Sequence, residues 1–169
     1  MAQAQKNGYS TGVVFRATVE PYNNVYQLNS NGALEVVNNT SLYPEEMLYF
    51  DYKFFISPEA LQTYIRNTGA VGDYNIKKYE KTDEGYRCYY KYWIRHLDNY
   101  RPTEMGVMEF AVVRNNLYRM LITNVSDIGE GGTGTIIVTP DTPDEGEASL
   151  QVVLNVKPWI VRDLTDIVL

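Results

Sequence analysis

The sequence predicts an all-β fold, a Greek-key β-sandwich with one short helix. Three observations predict it. The 169 residues include 15 Tyr against 5 Phe and 2 Trp, and tyrosine suits strands because its ring packs on the pleat while its hydroxyl reaches a polar partner. Segment after segment alternates apolar and polar residues with a period of two, each bounded by turn residues. Only one stretch carries the residues that start and stop a helix.

Residues 1–9 are polar and are expected to form a flexible leading segment, with residues 10–169 folding as one domain. In the first strand Val13, Phe15, Ala17 and Val19 point one way and Val14, Arg16, Thr18 and Glu20 the other, until Pro21 ends the run. Residues 25–37, VYQLNSNGALEVV, read as a hairpin about Asn31-Gly32. A two-residue loop would put the two apolar sets on opposite faces. A three-residue loop, Ser30-Asn31-Gly32, pairs Leu28 with Leu34 and Tyr26 with Val36 and places Gly32 in the left-handed region.

Residues 48–57, LYFDYKFFIS, read as one buried aromatic strand. Ser57-Pro58-Glu59 then marks a helix start: a capping hydroxyl, proline at the first helical position and an acid in the first turn. Leu61, Tyr64 and Ile65 give that helix an apolar stripe, and Gly69 can end it. Residues 85–96 form a long strand with Tyr86, Cys88, Tyr90, Tyr92 and Ile94 on one face. Arg87, Tyr89, Lys91, Trp93 and Arg95 lie on the other, where cations and rings can meet. Further strands are expected over 107–113, 117–125, 135–139 and 149–157, with an Arg114-Asn115-Asn116 corner leading into the second of them. In the last, Leu150, Val152, Leu154 and Val156 point inward, and Pro158 stops the run.

The chemistry is sparse. A net charge of −6 gives no attraction to phosphate backbones, so no nucleic-acid partner is expected. A single Cys88 forms no internal disulfide and reads as a small buried hydrophobe. One His and one Cys make neither a zinc site nor a catalytic dyad. GEGGTG, residues 129–134, lacks the lysine and hydroxyl of a phosphate loop and reads as flexible. Asp141, Asp144, Glu145 and Glu147 do not have EF-hand spacing and read as a solvated loop. No apolar run reaches the length that crosses a bilayer, so no membrane insertion is expected. Tyr89, Trp93 and Tyr100 can be read either as a sugar-stacking platform or as ordinary sheet packing.

The order of motifs over the second half carries a family resemblance. A tyrosine-rich strand, CYYKYWIRH, is followed by MEFAVVRNN and YRMLITNVSDIG. A proline-acid loop comes next, then an amphipathic strand ending in the Pro158-Trp159 step. This arrangement resembles the C-terminal domain of type V pilus fimbrillins of the Bacteroidales. The resemblance implies a transthyretin-like sandwich, export as a lipoprotein whose signal is not in this chain, and assembly at the outer membrane into a fimbria. It implies no enzyme activity and no cofactor or metal. Family subunits have two domains, and proteolysis opens an acceptor groove in the N-terminal one. A strand from another subunit fills that groove, held by backbone hydrogen bonds.

In this chain the donor would be residues 160–169, with Ile160, Val161, Leu164, Ile167 and Leu169 as its apolar contacts. Arg162 and Asp166 interrupt strict alternation, which a bulge between Leu164 and Ile167 would absorb. An edge strand kept within its own domain is the other reading of the same residues. The expected partners are other fimbrial subunits. The alternative is a surface adhesin or tip sandwich that binds a host protein or glycan.

Overall fold

The computed structural model describes residues 11–70, 76–97, 99–101, 106–132 and 150–158. The strands are β1 (Gly12–Val19), β2 (Val25–Leu28), β3 (Leu34–Val36), β4 (Glu46–Phe50), β5 (Lys53–Phe55), β6 (Lys77–Thr82), β7 (Gly85–Trp93), β8 (Asn116–Val125) and β9 (Leu150–Pro158). One helix, α1 (Pro58–Thr68), lies between β5 and β6. Seven strands form a mixed sheet in the order β1-β7-β6-β4-β5-β2-β3, and β8 and β9 form a second sheet. The all-β class with one short α-helix holds, and two sheets are consistent with a sandwich. The described residues divide into two compact units. The sheet unit takes in 14–90 and 127–132, and the ribbon unit takes in 11–13, the described part of 91–126, and β9.

In the sheet unit, β2 and β3 pair Tyr26 with Val36 and Leu28 with Leu34, the register of the three-residue loop. Gly32 has φ +75°. The Asn29 side chain accepts from the Asn31 and Ala33 amides, both at 3.0 Å, and so fixes the turn. The next segment departs from expectation. Residues 48–57 are not one strand but a second hairpin, in which β4 and β5 pair Phe50 with Lys53 and Leu48 with Phe55. The turn is Asp51-Tyr52, with φ of +50° and +59°. Positive φ at both central residues matches strand twist, but tyrosine is an unusual residue there.

Helix α1 follows its sequence signals. The Ser57 hydroxyl accepts from the Ala60 amide at 3.2 Å, and Gly69 at φ +65° returns its amide to the Ile65 carbonyl. The stripe packs Ala60 and Leu61 against Leu48 and Phe55, with Tyr26, Leu28, Leu34, Phe50, Tyr64 and Ile65 around them. Fully burying a ring such as Phe55 contributes roughly 2–3 kcal/mol. On the sheet's other face Tyr49, Phe54 and Tyr79 meet with ring centroids 4.9–6.2 Å apart. β4 is therefore buried on both faces, as its run of apolar residues requires. Cys88 is fully buried, and burial pushes its thiol up.

β6 was not expected. Its sequence KKYEKT shows one apolar residue, yet Tyr79 pairs with Met47 and is completely buried. β6 and β7 then begin as a tight hairpin, with Lys81 opposite Tyr86 and Thr82 opposite Gly85. Continued, that register would set Lys78 opposite Tyr89. Instead the chain from 128 to 131 enters there. Tyr89 exchanges both backbone hydrogen bonds with Glu130, at 2.8 and 2.7 Å. Gly131 lies so close to the Lys78 carbonyl, and Gly129 to the Tyr89 carbonyl, that a Cβ at either would overlap it. Tyr79 donates to the Gly129 carbonyl (2.6 Å), Tyr49 to the Asp127 carboxylate (2.7 Å) and Lys77 to the Ile128 carbonyl (2.8 Å). Lys77 also faces Asp127 and Glu130, at 3.9 and 3.5 Å. The described part of the glycine-rich stretch is thus a packed insert and not a flexible loop. Its glycines serve close approach.

Two measurements check this account. Gly32→Val should destabilise by about 1–2 kcal/mol, because nothing surrounds the missing Cβ and the whole cost is backbone strain. Tyr52→Gly should stabilise by up to about 1 kcal/mol for the converse reason. Urea unfolding of the two variants should give shifts of opposite sign, and equal shifts would refute the turn assignments.

The second check is alkaline. Burial pushes Tyr86 and Tyr90 up to about 12 from 10.0, and Tyr49 and Tyr79 are raised as well, again chiefly by burial. The unfolded chain releases these protons near pH 10 and the folded chain holds them. Stability is therefore complete below about pH 10 and is lost as the pH climbs toward 12. The urea midpoint should be level from about pH 7 to 9 and fall above 10; a level profile to pH 12 would contradict it.

Candidate functional site

The ribbon unit carries the two-stranded sheet of β8 and β9. β8 starts from the Arg114-Asn115-Asn116 corner expected from the sequence. Asn115 turns the chain at φ +59°, and the Asn116 side chain donates to the Val113 and Arg114 carbonyls at 3.2 and 3.1 Å. β8 and β9 then pair over nine rungs, from Asn116–Pro158 to Val125–Leu150, with an irregularity at Thr123. Tyr118 and Met120 of β8 and Val152, Leu154 and Val156 of β9 lie half-buried on one face. That matches the inward set expected for β9.

The opposite face is exposed and still partly apolar. Leu117, Leu121 and Val153 are 54, 62 and 48% exposed. Arg119 and Lys157 flank them, and neither strand contains an acid. Among the described residues no third strand joins this sheet. A two-stranded ribbon is marginal in water by itself and needs packing or anchoring.

One anchor is polar. Tyr118 accepts from the Val113 amide at 2.8 Å, and its hydroxyl lies 2.9 Å from His96 Nδ1. The His96 amide donates to the Glu109 carbonyl at 2.6 Å, and the Glu109 carboxylate, 3% exposed, accepts from the Gly106 amide at 2.6 Å. Residues 107–113 are accordingly no strand but a turn and an irregular run, with Met108 at φ +61°. The apolar spelling VMEFAVV misled because Val107, Met108 and Val112 face solvent while the acid turns inward. Arg95 stacks over Phe110 at 5.2 Å, a cation–π contact of the kind its strand face suggested.

The candidate donor residues Ile160, Val161, Leu164, Ile167 and Leu169 lie outside the described residues, as do Trp159, residues 1–10, the strand expected at 135–139 and the acidic segment after it. The stacking candidates do not form a common platform of exposed rings. Tyr100 is 88% exposed, at φ +58°, and Tyr89 is half-buried. Trp93 is only 8% exposed, which corrects its outward placement. The alternation of β7 slips at its end: Tyr92 is half-buried while Trp93 and Ile94 are both buried, and the indole lies against Gly12, where a Cβ would crowd it. Among the described residues no three His, Cys, Asp or Glu side chains are placed to share a metal ion, and no helix is long and apolar enough to cross a membrane.

What this site offers is a long ribbon with an exposed apolar stripe and two cations. A family model described as major fimbrial subunit protein type IV, fimbrillin, C-terminal, matches residues 78–165. The match begins in β6, takes in β7, β8 and β9, and runs into the sequence beyond Pro158. No curated protein and no solved structure matches the chain. With more than half of its length matched, the chain belongs to the fimbrillin C-terminal family of major fimbrial subunits.

Proposed function

We propose that the chain is a non-enzymatic building subunit of a cell-surface fimbria that assembles by strand addition, residues 160–169 being the strand it donates. Ile160, Val161, Leu164, Ile167 and Leu169 are its apolar contacts. The reading includes export as a lipoprotein and display at the outer membrane. The observation that carries it is the ribbon. Nine rungs of β8–β9 pairing in a fimbrial family member, followed in the sequence by the decamer 160–169, support a joint made by strand addition. Backbone pairing supplies affinity in such a joint, and the alternate side chains supply register. The adhesin reading has only Tyr100 as a fully exposed ring among its three candidates.

The test is a mixing assay. A two-domain fimbrial subunit whose N-terminal groove has been opened by proteolysis is incubated with this chain, and separately with a version ending at Trp159. The complete chain should bind at least about tenfold more tightly, a difference of about 1.4 kcal/mol. Equal binding of the two forms would remove residues 160–169 as the donor.

A further inference from the structure

We infer that the sheet unit carries a binding site for a neutral glycan at one end of its sheet, built on the exposed rings of Tyr22 and Tyr52 and the side-chain amides of Asn23 and Asn38. The inference does not depend on how subunits join.

Strand pairing brings these residues together. β2 and β5 run parallel, with Val25 beside Phe54, so the residues leading into them, 22–24 and 51–53, meet at one end of the sheet. β3 runs antiparallel to β2, with Val36 beside Tyr26, and the Val37 amide donates to the Val25 carbonyl at 2.8 Å. Asn38 follows at that same end. Asn24 clamps the two turns. Its backbone carbonyl accepts from the Phe54 amide at 2.9 Å, and its side-chain amide donates to the Tyr52 carbonyl at 3.2 Å.

The two rings contribute little to the fold. Tyr22 is 79% exposed and Tyr52 is 69% exposed, so neither removes much area from water. Tyr52 also sits at φ +59°, with Asn23 at +58° and Asp51 at +50° around it. Glycine at position 52 would relieve that strain. A bulky ring held outward on strained backbone points to a group that is used from outside.

The chemistry of the end names the ligand class. A tyrosine ring offers a rigid face to the C–H side of a pyranose, and asparagine supplies both donors and acceptors for its hydroxyls. Asn23 and Asn38 are exposed, and their side chains hydrogen-bond to no described residue. The two charges of the turn are occupied with each other: Asp51 accepts from the Tyr64 hydroxyl and lies 3.4 Å from Lys53 Nζ. With its acid and base paired, the end gives no attraction to a charged sugar. Two rings with amides between them also fall short of the wide desolvated centre of a protein interface.

The experiment uses the full chain, carrying a terminal biotin and gathered on streptavidin so that weak sites act together. It is applied to an array of neutral oligosaccharides ending in galactose, mannose, fucose or N-acetylglucosamine, beside sialylated and sulfated ones. The expected result is binding to a subset of the neutral glycans. On the strongest of these, Tyr52→Gly and Tyr22→Ser should each weaken binding about tenfold or more, while Tyr22→Phe and Tyr100→Ser should stay within about twofold. The urea midpoint of Tyr52→Gly should be at or above that of the parent chain, which separates its loss of binding from unfolding. Binding to charged glycans alone, binding to no glycan, or binding indifferent to the changes at Tyr22 and Tyr52 would overturn the inference.

Discussion

The sheet unit depends on one intrusion: residues 128–131 occupy the place where β6 and β7 would otherwise pair. The register of the β6–β7 hairpin puts Lys78 across from Tyr89, and Glu130 takes Tyr89's backbone partners instead. Separating two strands leaves a row of amides and carbonyls that must be satisfied. The insert satisfies them at the Glu130 bridge, and Gly129 and Gly131 let it lie closer to both neighbours than any side chain permits. Lys77, almost buried, offsets its desolvation by holding the Ile128 carbonyl and facing two acids.

The same need to hold irregular chain in place accounts for the buried tyrosines. A core of phenylalanine would pack as well but could not hold irregular chain in place. Here Tyr79 and Tyr90 donate to the carbonyls of Gly129 and Asp127, Tyr43 to that of Val37 and Tyr86 to that of Pro44. Each ring is buried on a strand or next to one, and each hydroxyl ends on a segment that pairs with no neighbour in a regular ladder. An excess of tyrosine over phenylalanine is therefore the composition of a sheet that fastens its own loops, each buried hydroxyl avoiding the desolvation penalty of an unmet donor.

This explains what the sequence disclosed. The Asn31-Gly32 register, the Ser57 and Gly69 caps and the alternation of β9 were legible because each is settled within a few residues. The Asp51-Tyr52 turn was not, since no Asn-Gly or Asp-Gly announced it, and the pairing of Phe50 with Lys53 overrode the poor fit of tyrosine. β6 was hidden because its single core contact, Tyr79, is set by a partner, Met47, far earlier in the chain. The insert at 128–131 read as flexible for the opposite reason: its glycines answer to backbone from β6 and β7, which no local pattern contains. The decamer 160–169 was visible as an apolar run. The pairing of β8 with β9 was not, because its partners lie far apart in the chain.

Charge bears on why a fimbrial subunit would be built this way. Copies of a chain with net charge −6 repel one another at long range, which favours solubility before assembly. Repulsion of that kind is screened beyond about 8 Å at physiological ionic strength, so it opposes encounter weakly and docked contact strongly where acids meet. β8 and β9 contain no acid, and their two charges are cationic. The ribbon is thus a patch where an acidic copy can be approached by another without like charges being pressed together. Cations in such a patch favour contact with an acidic surface over a basic one.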